Sequence, residues 1–485
     1  MELCFPQTDP TLSMDEEPTK EPPMGPRLRE KPVTVVGLGK SGLAATRLLQ
    51  AVGAHVTVVD QQSESTLSQM VAQLDALSLQ LFTADQFDLG FRTPELVVIS
   101  PGVPSRLEIL EVVRRRGVPV ISEIELASWF LPIPLVAVTG TNGKSTAVSL
   151  MARMFEENGE RVFMGGNLGT PLCEPALAIY HNRQHTSDSP LPFDSVVAEV
   201  SSFQLEAIQH FHPKVAVLLN LTADHLDRYP SMAEYGAAKA RIFANQSSED
   251  FAVLNGDDPL IGAMRDSIRG TIVEFSLERS LGEGVFVEGN QIRAHLRGQG
   301  FEVALREEVG LRGRHNLANV LAAVAVALLC DCPIEAIRRA IRAFTGIAHA
   351  LEVVRERGGV LFVNDSKGTN VDATLKALES FDRPVVIIMG GKDKGGDFAR
   401  LREPLQQRAR RAILIGESAV RIREAVEGYE HLLHAASLEE AVTLAAQEAE
   451  PGNVVLLSPA CASFDMFRDY RDRGEQFRGL VKALP

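Results

Sequence analysis

The stretch VAVTGTNGKSTAVSLM, Val136 to Met151, decides how the rest of this chain is read. An apolar run, Leu135 to Val138, enters a tight glycine-containing turn, and a helix-like pattern leaves it. In that strand–loop–helix context, backbone N–H groups and a helix N-terminus cradle phosphate. The spelling departs from the Walker A pattern, whose first glycine would fall on Val138. What remains is a shorter loop: Gly140, Thr141, Asn142, Gly143, Lys144, Ser145 and Thr146. Lys144 is expected to reach the terminal phosphates, and the hydroxyl of Ser145 or Thr146 to ligand Mg²⁺. A bound nucleoside triphosphate is therefore expected.

A chain of 485 residues is too long for one hydrophobic core, so about three domains are expected. Hydrophobic residues make up 45% and charged residues 23%, as in soluble globular proteins. The net charge of −14 argues against a nucleic-acid partner held by phosphate electrostatics. Anionic substrates must then be gathered by local basic and N–H-rich sites. Cys4, Cys173, Cys330, Cys332 and Cys461 show neither metal-ligand spacing nor a paired framework, which reads as reduced thiols in a cytoplasm. Acids and prolines stand where a signal peptide would need a basic region and an apolar core. The most apolar segment, Ala318 to Cys330, is too short to span a bilayer and reads as a buried helix.

Residues 1–29 are rich in Pro and Glu without periodicity, and a disordered extension is expected there. From Lys31 the chain reads as a strand, a Gly37-x-Gly39-x-x-Gly42 turn, an amphipathic helix and a second strand ending at Asp60. That spacing fits a Rossmann fingerprint. The turn recognises pyrophosphate, so a nicotinamide or flavin dinucleotide and any other nucleotide diphosphate stay open, as does a purely structural glycine turn. Further strands are expected at Leu96–Ser100 and Val118–Ile121, with a helix over Leu107–Arg116 between them. LPIP at 131–134 marks a linker, and the first domain is set at 30–131.

The second domain, 132–346, begins with the phosphate loop. Strands are expected at Arg161–Met164, Ser195–Val200, Val215–Asn220 and Phe251–Asn255. Their polar ends carry Asn167, Glu199 and the pair Asp224-His225, which parallel strands would turn toward one crevice. Lys239, in EYGAAKARIF, sits on a helical stretch where a solvated lysine is the ordinary expectation. Asn182 to Pro192 reads as a surface loop and Leu281 to Val309 as a hairpin-bearing segment. Asn316 and Asn319 lie a turn apart on one face of the Ala-rich helix. The third domain, 347–485, shows strands at Val360–Asn364, Val385–Met389, Ala412–Ile415 and Val454–Leu457. Three of them are followed by the polar loops NDSKGTN, GGKDKGGDF and SPACASFDMF, where Lys367, Lys392 and Lys394 make an anion-binding face plausible. The fold class is α/β in three domains: Rossmann-like, P-loop-type mononucleotide-binding, and Rossmann-like again.

GTNGKST, GGNLG, EVSSFQLE, NLTADHLDRYP, AAKARIF, GRHNLANV, NDSKGTN and SPACAS follow one another over residues 31–485. In that order they resemble the Mur ligases. The phosphate-loop motif alone points only to the wider ATP-dependent amide ligases, which include the folylpolyglutamate synthases. EVSSFQLE, NDSKGTN and SPACAS-x-D-x-F resemble the D-glutamate-adding branch. The resemblance implies an ADP-forming ligase that joins D-glutamate to UDP-N-acetylmuramoyl-L-alanine in cytoplasmic peptidoglycan precursor synthesis. Its first domain would bind the UDP end, its second ATP and Mg²⁺, and its third the amino acid; a monomer is expected.

By the matching motifs, Gly37, Gly39, Lys40, Ser41, Gly42, Asp60 and Gly102 would line the UDP, with Asn167 near the sugar substrate. An Arg implied two positions after the acid is replaced here by Gln62. Ser145 and Glu199 would hold one Mg²⁺, while His225 and a carbamylated Lys239 would position a second. Lys144, His225 and Lys239 are the expected catalytic residues. Asn316 and Asp365 would lie near the adenine and ribose of ATP, with Asn319 also in the ATP site, and Lys367, Thr369, Lys394, Ser463 and Tyr470 would contact the D-glutamate. The implied motif G-x-P-H-R is Gly346-Ile347-Ala348-His349-Ala350 here, so one guanidinium is missing. Two other readings stand beside this one: another ATP-dependent amino-acid ligase of the superfamily, and a nucleotide-cofactor dehydrogenase resting on the first glycine turn. A non-catalytic nucleotide-binding protein would fit the Ala350 departure.

Overall fold

The computed structural model describes residues 28–73, 79–167, 169–185, 190–225 and 228–484. The extension expected over 1–29 lies outside them except for its last two residues. Of those, Leu28 is buried in the first core, so the folded region begins slightly before the expected boundary.

Three sheets organise the chain. The first contains β1 (Pro32–Val36), β2 (His55–Asp60), β3 (Gln80–Thr83), β4 (Leu96–Ile99) and β5 (Val120–Ser122), in the order β3-β2-β1-β4-β5. All its pairings are parallel. The order reverses between β1 and β4, so the Gly37 turn and the Pro101-Gly102 loop flank one crevice at the carboxyl ends.

The second sheet holds β6 (Leu135–Thr139), β7 (Val162–Gly166), β8 (Ser195–Glu199), β9 (Val215–Leu218), β10 (Phe251–Asn255) and β11 (Thr271–Ser276). It continues with β12 (Gly284–Glu288), β13 (Gln291–Leu296) and β14 (Gln299–Leu305). The order is β14-β13-β12-β11-β10-β9-β6-β8-β7. β6 therefore lies between β8 and β9, parallel to both. That placement sets the phosphate loop between the chain leaving β8 at Glu199 and the chain leaving β9 toward Asp224. The last two pairings are antiparallel, as the hairpin reading of 281–309 expects. The Ala-rich segment forms the helix Arg314–Leu329, buried against the helix Lys144–Glu157 that follows the loop. Small side chains on its inner face let the two backbones approach. The expected surface loop at 182–192 is corrected in part, because the helix Cys173–His185 runs into it; residues 186–189 lie outside the described ones.

The third sheet comprises β15 (Glu352–Arg357), β16 (Val360–Asn364), β17 (Val385–Gly390), β18 (Ala409–Ile415), β19 (Leu432–His434) and β20 (Val454–Leu457). Its order is β15-β16-β20-β17-β18-β19. The strands that precede the polar loops, β16, β20 and β17, are thus adjacent and parallel, and the loops leave one edge together. β15 adds an antiparallel edge.

Candidate active site

The phosphate loop owes its shape to two glycines. Gly140 has φ +149° and Gly143 φ +84°, and a Cβ on Gly143 would stand 2.3 Å from Oδ1 of Asn319. Asn319 thus backs the loop, held by its donation to Asn316 Oδ1 at 3.2 Å. The loop is further fixed by Asn220, whose main-chain O and Oδ1 accept from Thr141 N at 3.0 Å and Asn142 N at 2.9 Å. Lys144 Nζ folds back and donates to the carbonyls of Gly140 and Thr141, both at 2.8 Å. A phosphate oxygen would outcompete these carbonyls, since it adds a full opposite charge where the carbonyl offers the ammonium only a neutral acceptor.

Glu199 ends β8 beside the loop. Its Oε2 accepts from Ser145 Oγ at 2.5 Å and its Oε1 from Asn167 Nδ2 at 2.9 Å, so three expected residues form one chain. Burial alone would raise the Glu199 pKa, but Lys144, then Lys367, then these hydrogen bonds hold it below the usual carboxylate range. A hydroxyl and an ionised carboxylate at a phosphate loop fit Mg²⁺, which takes one or two protein oxygens and completes its shell with phosphate and water. No cluster of three or more His, Cys, Asp or Glu side chains able to cage a metal exists among the described residues.

Lys239 corrects the ordinary expectation of a solvated lysine: it is 2% exposed. Its Nζ donates to Gly140 O at 2.9 Å and lies 4.6 Å from the centre of the Tyr235 ring. Burial first, and Lys144 next, push its pKa well below that of an ordinary lysine. As an ammonium it cannot ligand a cation; as an N-carboxylate it could. His225 has φ +55° and packs edge-on against Phe203 at 4.9 Å. The preceding Asp224 accepts from Lys394 Nζ at 3.1 Å and from Asn370 Nδ2 at 3.0 Å, both from the third sheet's loops. Burial raises and Lys394, then His225, lower the Asp224 pKa, for a net fall.

Asn370 and Asp372 close the third sheet directly onto the phosphate loop. Asp372 Oδ2 accepts from Asn142 Nδ2 at 2.8 Å and Thr222 Oγ1 at 3.0 Å, while Asn370 Nδ2 donates to Asn142 Oδ1 at 3.2 Å. Asp365, buried at the end of β16, accepts from Ser458 Oγ at 2.7 Å, and burial pushes its pKa up to about 7. The result is a cleft of about 490 Å³ between the second and third sheets. Of the expected residues, Thr141 through Thr146, Asn167, Glu199, His225, Lys239, Asn316, Asp365, Lys367, Thr369, Lys394 and Tyr470 line it. Ser463 is buried outside that lining, Gly140 contributes its carbonyl, and Ala350 presents only a methyl group to the cleft.

The first-sheet residues stand apart from this cleft. Gly37 has φ +87°, and a Cβ on Gly42 would meet Gly37 O at 1.8 Å, so both positions demand glycine. Asp60 spends both carboxylate oxygens on the turn, accepting from Leu38 N at 2.7 Å and Gln62 N at 2.8 Å. Lys40, Gly39 and Gly102 are exposed around the crevice, and Ser41 is half-buried.

Sequence reasoning missed Asp372, Asn370, Asn220 and Tyr235. Tyr235 and Lys239 stand four residues apart on one helix, which was readable; Asp372 finds its partners across the cleft, which was not.

Three family models match in chain order. They are Mur ligase MurD-like, N-terminal domain, over residues 31–122; Mur ligase middle domain, over 138–327; and Mur ligase, glutamate ligase domain, over 351–461. The UDP-N-acetylmuramoylalanine--D-glutamate ligase of Pelotomaculum thermopropionicum is 44% identical over 94% of this chain and 98% of its own length. The protein of the same name from Pelobacter propionicus is 46% identical over 94% of this chain and all of its own. Among solved structures, a MurF ligase from Thermotoga maritima in complex with ADP aligns with TM-score 0.57 at 18% identity, covering 95% of this chain and 97% of that one. A pseudomurein peptide ligase type C from Methanothermus fervidus aligns with TM-score 0.57 at 16% identity, covering 93% and 99%. The two structures share the fold, and the curated relatives share nearly half the residues from end to end: this chain belongs to the Mur ligase family.

Proposed function

We propose that the chain is an ADP-forming ligase that adds D-glutamate to UDP-N-acetylmuramoyl-L-alanine in peptidoglycan precursor synthesis, acting in the cytoplasm as a monomer. The observation that carries this reading is the cleft where the phosphate loop, Glu199 and Lys239 face Lys367, Thr369 and Tyr470 across the two sheets. Among the described residues no helix is long and apolar enough to cross a membrane, in keeping with dissolved small-molecule substrates.

Residues 30–131 bind the UDP end through the Gly37 turn, Lys40, Ser41, Asp60 and Gly102, with Asn167 near the acyl end. Residues 132–346 bind ATP, and residues 347–485 close over it and hold the amino acid. A carboxylate is a poor acyl donor because its leaving group would be oxide. Transfer of the γ-phosphoryl group to the L-alanine carboxylate gives an acyl phosphate, whose leaving group is phosphate. The neutral amine of D-glutamate then attacks, and the tetrahedral intermediate collapses to the amide.

Lys144 leaves the loop carbonyls to neutralise the terminal phosphates, Asn316 and Asp365 orient the nucleoside, and Asn319 supports the loop that holds the phosphates. Mg²⁺ supplies charge neutralisation for the transferring phosphoryl group when bound. Ser145 and Glu199 would hold one ion, and His225 with carbamylated Lys239 a second. Lys367, Thr369, Lys394 and Ser463 would orient the D-glutamate carboxylates, and His225 would either position the second ion or accept the amine proton, two roles equally compatible with its chemistry.

The test supplies ATP, Mg²⁺, UDP-N-acetylmuramoyl-L-alanine and D-glutamate and follows phosphate. Release requiring both acceptors, with ¹⁸O passing from the L-alanine carboxylate into orthophosphate, is expected. Phosphate that never carries the label would reject the acyl-phosphate route.

A further inference from the structure

The proposed acceptor reaches from the first-sheet crevice to the cleft, and a small apolar cluster lies between the two sites. It consists of Tyr229, Tyr235 and Ala238, with Phe203 and Met232 packed against it, and is separate from the main cores. Arg228 is laid over Phe203, its guanidinium carbon 3.8 Å from the ring centre. Phe203 in turn meets the His225 ring edge-on at 4.9 Å, and both of these rings line the cleft.

Arg228 is also held from the first domain. Its Nη2 donates to Val103 O at 3.4 Å, in the loop that leaves β4. That loop is bound to the glycine turn. Ser100 Oγ donates to Gly37 O at 2.7 Å, Val103 N donates to Ser100 O at 2.9 Å, and a Cβ on Gly37 would stand 3.0 Å from Val103 Cγ2. Glu206, which ends the short helix Ser202–Leu205, fixes the junction. Its carboxylate lies 3.7 Å from Arg228 Nη2 and accepts from Ser105 Oγ of the first-sheet loop and from Tyr229 Oη. The main chain completes the connection: Arg228 N and Tyr229 N both donate to His225 O, at 2.9 Å and 3.0 Å. His225 has φ +55°, a region that a side chain disfavours, so its backbone depends on those bonds.

We infer that Arg228 is a positioning residue that makes the placement of His225 depend on the UDP end being seated at the Gly37 turn. The inference rests on the ligase reading above and adds how the distant end of the acceptor acts on the reacting one. A diphosphate that orders the turn orders Ser100 and Val103 with it. Val103 and Glu206 then set the guanidinium, which sets the Phe203 ring and the two N–H groups that hold His225. Binding energy from a part of the substrate that does not react is thereby used at the reacting centre.

The probe is UDP alone, read by the His225 imidazole resonances in the NMR spectrum of the whole protein, assigned with His225→Gln. Saturating UDP should shift those resonances in the wild type. In Arg228→Met, which keeps the stem and removes the guanidinium, UDP should bind within about twofold of wild type and the shift should vanish. Glu206→Gln, which keeps the shape and removes the charge, should weaken the shift and carries the same test if Arg228→Met does not fold. In turnover Arg228→Met should lower kcat about tenfold while the KM for UDP-N-acetylmuramoyl-L-alanine stays within about twofold, since positioning and not affinity is lost. Wild-type His225 resonances that ignore UDP overturn the inference. So does a shift that survives in Arg228→Met, or a loss confined to KM, which would make Arg228 a plain binding contact. Wild-type protein without acceptor-dependent phosphate release would sink the ligase reading itself, an outcome distinct from the others.

Discussion

Two lysines share the carbonyl of Gly140, and their surroundings give them different tasks. Lys144, the first residue of its helix, is free to exchange carbonyls for phosphates; Lys239 is enclosed beneath the loop against Tyr235. Lys144→Ala should lower phosphoryl transfer by on the order of 10²–10³-fold, the usual effect of removing one preorganised charge contact. Single-turnover phosphate release measures it, and wild-type rates would reject the assignment. Lys239→Ala should lose activity that short carboxylic acids partly restore by standing in for the carbamate. Undiminished activity without them would leave Lys239 a packing residue. At this scale the loop residues were legible because their types and spacing carry their chemistry. The burial of Lys239 was not, because a helical lysine reveals its neighbours only once the sheet beneath it is in place.

Elements meet at points where one supplies what the other lacks. The helix Glu123–Ser128, which follows the first sheet, gives its first carboxylate to the second: Glu123 Oε1 accepts from Cys173 N at 2.6 Å, at the start of the helix Cys173–His185. Among the described residues its Oε2 is buried without a hydrogen-bond partner, and burial pushes the pKa from 4.5 to about 7. A carboxyl raised in the folded state favours folding at low pH and loses that contribution as pH climbs through the window from 4.5 to about 7. Glu123→Gln removes the charged form, so its stability relative to wild type should rise across that window, by on the order of 3 kcal/mol. Melting curves from pH 4 to 8 with a constant offset would reject this. Most strands were readable as apolar runs, and the glycine turns as their ends. β3, β11, β15 and β19 were missed because they are partly exposed and lack clean alternation, so their pairing comes from neighbours already in the sheet.

For the whole molecule the decisive contacts run between the second and third sheets. Asp372 gathers Asn142, Thr222 and Lys376, the last at 2.8 Å, so one carboxylate ties the phosphate loop to the closing lobe. Asp372→Ala should let that lobe swing outward, increasing the radius of gyration in small-angle scattering and raising the KM for ATP. Scattering curves that superpose with wild type would reject the latch. No spacing in the sequence announces this tie, since its members come from distant parts of the chain and meet only after each sheet has formed. Asn142 belongs both to the loop proposed to cradle the nucleotide and to the latch. On the proposed reading of that loop, a compound wedged beside the amide would jam the door and the ignition together.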